Sequence, residues 1–232
     1  FKRILLKLSG EALAGKDKFG INPQILSNII SEVCELHSMG IEVAIVIGAG
    51  NFFRGSLGKS LGIKQRSGDH MGMLATIMNS LAIQNEFEKN NVKANVLSSI
   101  HMSEIAEPYT IKSALDYLDK KHIVIAAGGT GHPYFTTDTA ASLRAVELEA
   151  NILLKATRVD GVYTADPEKD PTATKIEDIS FINVLNDKLR IMDLTAISLC
   201  MENNLPIIVF DLFQANSLKK IIMGEKIGTI IS

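Results

Sequence analysis

The feature that most constrains the fold is an alternation of short, continuously apolar segments with longer amphipathic ones. One helical face is marked by Ile25, Leu26, Ile29, Ile30, Val33 and Leu36, and a second by Leu74, Ile77, Met78, Leu81 and Ala82. Continuously apolar strands separated by helices indicate a mainly parallel sheet that is covered on both faces. The sequence therefore predicts an α/β fold with strands near 3–8, 42–47, 94–97, 122–126, 152–154, 207–210 and 227–231, and late helices near 193–203 and 216–223.

The length and composition fit one domain. The chain has 232 residues, 46% of them hydrophobic, which is enough to bury a large core. It contains no internal repeat, low-complexity tract or linker-like segment, so we expect a single domain over residues 1–232. Residues 160–180 are rich in turn formers and predict a hairpin or flap.

Charge, cysteine usage and hydropathy restrict the class of protein. A net charge of −2 gives no sign of a polybasic surface, so we expect no nucleic-acid partner. Cys34 and Cys200 are isolated in apolar helical segments, which is typical of reduced core thiols in a cytoplasmic protein. No apolar run approaches the ~18 residues that cross a membrane, and no signal-peptide pattern is present, so we expect no membrane partner.

Two nucleotide-binding motifs are approached but not completed. The segment GEALAGKD (10–17) resembles a phosphate-binding loop, but Asp17 stands where the motif needs a hydroxyl for magnesium. The segment GAGNFF (48–53) resembles a dinucleotide fingerprint, but Phe53 replaces the third glycine, which permits close helix–strand packing. We reject both interpretations.

Several predicted strands end in residues that suit an anion. Lys7 interrupts a buried strand, where a lysine needs an anionic partner unless it merely snorkels at the strand end. Gly48, Gly50 and Asn51 follow the next strand with Arg54 close behind, although an ordinary strand-to-helix turn has the same composition. Asp69 precedes an apolar helical pattern and could be a simple N-cap.

The segment GGTGHPYFTTDTAA (128–141) carries the same signal most strongly. Its glycines permit close approach of the backbone, and Thr136, Thr137 and Asp138 stand at a helix start, whose free N–H groups attract anions. Ligands of parallel sheets bind beyond the carboxyl ends of the strands, where all these residues are expected. Phosphoryl transfer suits such a set, because that reaction depends on positioning and charge stabilisation.

No competing chemistry stands out. The five histidines and two cysteines show no metal-ligand spacing, and the nucleophile elbow G-x-S-x-G is absent.

These residues lie within segments that resemble the bacterial uridylate (UMP) kinases of the amino-acid kinase family. The resemblance runs almost from end to end through KRILLKLSGEAL (2–13), VIGAGNFFRG (46–55), GDHMGMLAT (68–76), GTGHPYFTTDTAA (129–141), LLKATRVDGVYTADP (153–167), KDPTAT (169–174), MDLTA (192–196) and MGEKIGT (223–229). It implies an αβα sandwich with a mainly parallel central sheet, and transfer of a phosphoryl group from ATP to UMP with Mg²⁺. It also implies a mainly UMP-binding N-terminal part and a mainly ATP-binding part from about residue 150.

The resemblance assigns roles residue by residue. It implies that the catalytic set is Lys7, Arg54, Asp138, Lys155 and Asp193, where Asp193 has a simple helix cap as its alternative. The implied ATP site is Lys7, Leu8, Ser9, Gly10, Gly50, Arg54, Thr157, Tyr163 and Asp166. The implied UMP site is Ala49, Asp69, Thr130, Gly131, His132, Pro133, Tyr134, Phe135, Thr136 and Thr137. The direct metal ligands are not assigned. Without the resemblance, Tyr163 is a packed hairpin aromatic and Asp166 a turn former.

Regulation is where the chain departs from the family pattern. Many members are homohexamers that GTP activates and UTP inhibits, and we expect a homohexamer with UTP inhibition here. Within 82–96, interpreted as one helix, Gln84, Glu88 and Asn95 replace basic residues of the activated relatives, so we expect a weak or absent GTP response. Met71, Met73 and Met78 could serve a subunit interface or the core.

Two other functions remain open at this point. A non-catalytic nucleotide sensor could use the same fold, but the chain retains Lys7 and Asp138, which a sensor does not need. A kinase that acts on carbamate or on an amino-acid carboxylate is disfavoured by Asp69 and the segment TGHPYFTTD.

Overall fold

The computed structural model describes residues 1–165, 170, 172–187, 189 and 191–232, apart from the side chains of Ser56, Leu57 and Lys59. In chain order, the described elements are β1 (Arg3–Leu8), α1 (Gly10–Ala14), a 3₁₀ turn (Gly15–Asp17), α2 (Pro23–Ser38), β2 (Glu42–Ile47), α3 (Gly55–Ser60), α4 (Gln65–Lys89), β3 (Ala94–Ser98), β4 (Glu107–Pro108), α5 (Ile111–Asp119), β5 (Ile123–Ala127), α6 (Thr137–Glu147), β6 (Ile152–Thr157), β7 (Val162–Tyr163), β8 (Lys175–Ile176), β9 (Asp178–Ile179), α7 (Phe181–Asn186), α8 (Leu194–Glu202), β10 (Ile207–Asp211), α9 (Ser217–Ile222) and β11 (Thr229–Ile231).

The central sheet has nine strands in the order β4-β3-β5-β2-β1-β6-β10-β11-β9. All neighbouring pairs are parallel except β10 and β11, which run antiparallel. The strands in the middle of the sheet have buried residues on both faces, because helices cover both sides. The predicted α/β fold with a mainly parallel sheet is confirmed.

Two hydrophobic cores flank the sheet. Ile4, Leu6 and Leu8 of β1 point into a core shared with α2, α4 and α9, while Leu5 points into the opposite core with α5, α6, α7 and α8. Alternate strand residues thus feed alternate layers, which makes the molecule an αβα sandwich. This arrangement brings the carboxyl ends of β1, β2, β5, β6 and β10 to one edge of the sheet.

Helix α4 corrects two sequence predictions. Leu74 and Met78 were placed on its buried face, but both side chains are exposed. Ile77 of the same predicted face is buried, together with Met73 and Phe87. Apolar residues lie on two sides of this helix, so periodicity alone does not identify the inner one.

The predicted helix over 82–96 is also wrong. Helix α4 ends at Lys89, and residues from Ala94 form β3. Asn90 and Asn91 make the turn between them, and Asn91 adopts a positive φ of 56°.

The turn-rich region forms the predicted hairpin in its described part. Val162 pairs with Ile176 and Tyr163 with Lys175 in an antiparallel ladder. Asp166, assigned to ATP by the resemblance, lies outside the described residues. Among the described helices, none combines the length and hydrophobicity that a membrane crossing requires.

Candidate active site

Two lysines from adjacent strands share one carboxylate at the carboxyl edge of the sheet. Lys7 of β1 and Lys155 of β6 are register partners, so their side chains lie side by side. Asp138, in the first turn of α6, lies between them, with Oδ1 2.7 Å from Lys7 Nζ and Oδ2 2.7 Å from Lys155 Nζ. Lys155 Nζ also donates to the carbonyl of Ile191 at 2.6 Å. We call Lys7, Asp138 and Lys155 the lysine cluster.

Both contacts of Asp138 are short. Lys155 donates a hydrogen bond to Oδ2, and the Lys7 ammonium group forms an ion pair with Oδ1 at 2.7 Å. Burial alone would raise the pKa of Asp138, but the charges of Lys7 and Lys155 outweigh it and hold that pKa below its usual value. Burial lowers the pKa of Lys155, and the attraction of Asp138 offsets only part of that effect.

Asp193 joins the starts of two helices. Asp193 is the N-cap of α8, which was the alternative role predicted from the sequence. Its carboxylate accepts a hydrogen bond from Ala196 N at 2.9 Å. Its carboxylate also accepts hydrogen bonds from the hydroxyls of Thr136 and Thr139. Because Thr136 is in turn the N-cap of α6, Asp193 fixes the helix start that carries Asp138. Sequence reasoning missed Thr139, whose role depends on this contact between helices.

Residues 128–135, which we call the glycine loop, connect β5 to the start of α6. Gly128, Gly129 and Gly131 have φ values of 78°, 60° and 80°, a region that favours glycine. Tyr134 also has a positive φ of 72°, which is rare for a bulky residue. Two side chains of α4 hold the loop: Thr76 Oγ1 accepts from Gly128 N at 3.0 Å, and Asp69 Oδ2 accepts from Tyr134 N at 2.8 Å.

The N-cap interpretation of Asp69 is therefore wrong. Helix α4 begins at Gln65, so Asp69 lies inside the helix and its carboxylate binds the glycine loop instead.

A cavity of about 200 Å³ opens between the glycine loop, the segment after β2 and the start of α4. Among the residues that the resemblance assigns to UMP, those that line the cavity are Ala49, Asp69, Thr130, Phe135, Thr136 and Thr137. Gly50, assigned to ATP, also lines it. Four glycines also line the cavity: Gly55, Gly68, Gly72 and Gly129. Phe53, Met73 and Thr76 line it too and were missed, because they carry no sequence signal beyond apolar or helical character. The implied UMP residues His132 and Tyr134 have exposed side chains, while Gly131 and Pro133 are half-buried.

Comparison with known proteins identifies the family of this chain. The sequence model of the amino acid kinase family matches residues 2–211. The chain belongs to the amino acid kinase family. A uridylate kinase from Bacteroides thetaiotaomicron is 52% identical over 231 residues, covering 100% of this chain and 98% of that protein.

Solved structures of the family agree. The crystal structure of UMP kinase from Bacillus anthracis has a TM-score of 0.97 and 38% identity, with coverage of 100% of this chain and 96% of the other. That of UMP kinase from Ureaplasma parvum has a TM-score of 0.95 and 36% identity, with coverage of 100% and 98%. The fold is therefore that of amino acid kinase family members named UMP kinases.

Gly10 allows the start of α1 to pack closely against the segment that follows β2. A Cβ atom at Gly10 would lie 2.6 Å from Asn51 Oδ1 and 2.6 Å from the Gly48 carbonyl, so no larger residue fits. Its neighbour Ser9 is the N-cap residue of α1, but its hydroxyl does not cap that helix. The Leu8 side chain is fully buried in the core, which leaves only its backbone for contact with a ligand.

Arg54 connects the segment after β2 to α1. Its Nη2 is 3.2 Å from Glu11 Oε1, and its Nε donates to the Gly50 carbonyl at 3.2 Å. The side chain is about half exposed at 49%, so the ion pair with Glu11 is open to exchange with another anion.

The hairpin residues are less closely tied to the lysine cluster. Thr157 ends β6 two residues after Lys155, and its hydroxyl lies 2.6 Å from the Val159 carbonyl. Tyr163 is half-buried and donates to Asp160 Oδ1 at 2.7 Å within the hairpin. No hydrogen bond given by the described residues joins Tyr163 to the lysine cluster.

Proposed function

We propose that this chain transfers the γ-phosphoryl group of ATP to UMP, giving ADP and UDP. The observation that carries the proposal is the lysine cluster, which stands at the start of α6 beside the cavity of the glycine loop. Its two ammonium groups and one carboxylate leave a net positive charge where a phosphoryl group would pass. UMP is proposed as the acceptor because the relatives are named uridylate kinase and UMP kinase.

Each member of the lysine cluster has a distinct task in this proposal. Lys7 stabilises the transferring phosphoryl group, because an ammonium group has three N–H donors and can contact a phosphate oxygen as well as Asp138. Lys155 is fixed by two hydrogen bonds and supplies a constant positive field. Asp138 keeps two like charges close together in a buried site, since they would otherwise repel each other.

The acceptor occupies the cavity with its phosphate toward the start of α6. Ala49, Asp69 and residues 130–137 form the UMP site. Asp193 acts here by holding Thr136 and Thr139 in place.

The donor lies over the ends of β1 and β6. Its phosphates meet the segment Lys7–Gly10 together with Gly50 and Arg54, and Arg54 exchanges Glu11 for a phosphate oxygen. Thr157, Tyr163 and Asp166 form the base and ribose side. Within one domain, the N-terminal part then binds mainly UMP and the part from about residue 150 binds mainly ATP.

Magnesium enters this proposal as part of the ATP substrate. Both carboxylate oxygens of Asp138 face lysines, and both oxygens of Asp193 accept hydrogen bonds. Across the described residues, no three His, Cys, Asp or Glu side chains form a metal-binding group. These residues do not fit a protein-held magnesium site, whereas the phosphate oxygens of ATP suit the ion well.

Assembly and regulation extend the proposal. Exposed Met71, Leu74 and Met78 give α4 an apolar outer stripe that suits a subunit interface. The homohexamer itself is what the resemblance implies. UTP should inhibit, because it can use the UMP and phosphate sites. Both cysteines are free, which supports a cytoplasmic location.

A GTP response should be weak or absent. Gln84 donates to the Ala94 carbonyl, Asn95 contacts His122, and Lys89 pairs with Glu86, so these side chains already have partners inside the subunit. The measurement is initial velocity at subsaturating ATP with and without millimolar GTP at fixed free magnesium. A several-fold rise in rate would contradict this expectation.

The experiment that tests the function is a substrate panel with Mg-ATP: UMP, CMP, dUMP, carbamate, aspartate and acetylglutamate. We expect UMP to have the highest kcat/KM, with strong discrimination against CMP because a mismatched base leaves polar groups unpaired. Preference for a carboxylate or carbamate would support the related kinases instead. Nucleotide binding without turnover would support a sensor.

A further inference from the structure

Arg144 of α6 is a buried charge that the reaction described above does not use. Its side chain is 7% exposed, and the guanidinium lies 3.9 Å from the centroid of the Tyr109 ring. Nη1 donates to Glu147 Oε2 at 2.6 Å, and Tyr109 Oη donates to the same oxygen at 2.8 Å. A buried ion pair is seldom more stabilising than apolar residues of similar size. Stability of the fold therefore does not account for an arginine at this position.

The second arm of Arg144 leads to the glycine loop. Nη2 donates to Ser99 Oγ at 3.0 Å, and Ser99 Oγ donates onward to the Gly129 carbonyl at 3.0 Å. The loop also packs directly on Ser99, since a Cβ atom at Gly131 would lie 3.0 Å from the Ser99 carbonyl oxygen. Arg144 thus contacts the beginning of the loop through one hydroxyl.

This contact connects the start of the glycine loop to the helix that follows the end of the loop. The glycine loop ends where α6 begins, and Arg144 lies about two turns further along α6. Through Ser99, the helix that receives the end of the loop also holds its start. Three glycines and Tyr134 at positive φ give the loop little intrinsic preference for this shape, so it depends on such anchors.

We propose that Arg144, acting through Ser99, is a positioning residue that sets the affinity of the site for the acceptor nucleotide. The inference rests on the proposed function, in which the cavity lined by Gly129 and Thr130 takes UMP. Neither Arg144 nor Ser99 has a hydrogen bond to the lysine cluster among the described contacts. Loss of the anchor should therefore weaken acceptor binding and leave the phosphoryl-transfer step unchanged.

The first test is Ser99→Ala, which removes one hydroxyl. Losing one hydrogen bond of about 1 kcal/mol corresponds to roughly a fivefold rise in KM for UMP. We expect kcat and the KM for ATP to stay within about twofold. An unchanged KM for UMP, or an equal loss in kcat, would overturn the proposal, because a merely structural role does not act on one substrate alone.

Arg144→Lys tests the other end of the relay. A lysine can keep the charge beside Glu147, but it lacks the planar fork that reaches Glu147 and Ser99 together. We expect the same selective rise in KM for UMP. The double variant should be no worse than Ser99→Ala alone, because both changes break one path, and additive effects would contradict the relay. Ser142→Ala is the control: its hydroxyl is also buried on α6 but contacts Cys200, so its kinetics should match wild type.

A readout that does not depend on turnover separates this inference from the proposed function. Hydrogen–deuterium exchange of the ligand-free protein should show faster exchange across 128–135 in Ser99→Ala than in wild type, with the rest of the chain unchanged. Equal exchange in both proteins would refute the anchor whatever the substrate is. If wild type instead lacks UMP kinase activity while the loop loosens as expected, the proposed function fails and the anchor stands.

Discussion

Charged side chains cluster at two places on the central sheet: the edge formed by the carboxyl ends of its parallel strands, and the opposite edge formed by their amino ends. The two clusters differ in what surrounds them. At the carboxyl edge, Asp138 lies between Lys7 and Lys155. At the amino edge, Glu42 lies 2.8 Å from Arg3 Nε and 2.9 Å from Lys121 Nζ. We call Arg3, Glu42 and Lys121 the amino-edge cluster. Each cluster has one carboxylate between two cations, and the carboxylate of Glu42 is the more deeply buried.

Their surroundings separate structure from chemistry. Arg3 also donates to the Leu148 carbonyl, so the amino-edge cluster ties the chain segments together directly. The lysine cluster instead stands beside a helix start and a cavity, where backbone N–H groups and open space can receive an anion. Buried charge alone does not identify an active site. A cluster becomes a candidate when it also borders a space that a substrate can enter.

The largest expected effect comes from Lys7→Ala. It should lower kcat by at least ~10²-fold, the scale of one lost preorganised electrostatic contact, while UMP affinity changes little. Steady-state kinetics on purified protein with a native circular dichroism spectrum provide the measurement. Lys121→Ala, at the other edge, is the matched control and should keep wild-type kcat. Near-normal turnover in Lys7→Ala would show that the lysine cluster at the carboxyl edge is not catalytic.

The amino-edge cluster should give the opposite result. Glu42→Gln leaves Arg3 partly uncompensated and should lower the free energy of unfolding by up to about 3 kcal/mol. Asp119, 3.6 Å from Arg3, limits the loss. Urea denaturation measures the stability, and kcat measured well below the unfolding transition should be unchanged. A large loss of kcat in the folded variant would mean that the amino edge takes part in catalysis.

Acid pH should shrink that difference in stability. Burial would raise the pKa of Glu42, but the hydrogen bonds from Lys121 and Arg3 outweigh it and hold the pKa below its usual value. Such a group stabilises the fold above its unfolded pKa of about 4.3 and loses this contribution as pH falls through the folded value. The stability gap between wild type and Glu42→Gln should therefore narrow below about pH 4. A gap that widens on acidification would contradict the assigned direction.

The smallest effect is expected from Lys2→Ala. Lys2 Nζ is 3.8 Å from Glu42, but its side chain is 76% exposed, so water and salt screen the pair. The free energy of unfolding should change by less than about 1 kcal/mol. A larger loss would show that Lys2, which lies outside the defined cluster, also stabilises Glu42.

The sequence predicts most of the fold because its signals are local. Strands such as 3–8 and 42–47 have the predicted bounds, since a continuous apolar run leaves little choice of structure. Helix α4 shows the limit: Leu74 and Met78 are apolar yet exposed, and only tertiary packing decides which side of the helix is buried.

The candidate site was predictable where a residue type is unusual for its position. A lysine within a buried strand pointed to Lys7, although only the register of β1 and β6 reveals that Lys155 is its neighbour. Asp69 looked like a helix cap because its partner, Tyr134 N, is distant in sequence. The Arg144–Ser99 contact had no signal, since its meaning depends on three separate segments meeting.

The side-by-side placement of Lys7 and Lys155 also bears on how the sheet finds its register. A slip of β1 by one residue would turn Lys7 into the opposite core, among apolar side chains of α2 and α4, and would separate it from Asp138. An unpaired ammonium group there costs several kcal/mol, whereas a slip of a purely apolar strand costs far less. The charges that suit phosphoryl transfer therefore also select against misregistered folds, so replacing Lys7 with an apolar residue removes a safeguard of folding along with a catalytic group.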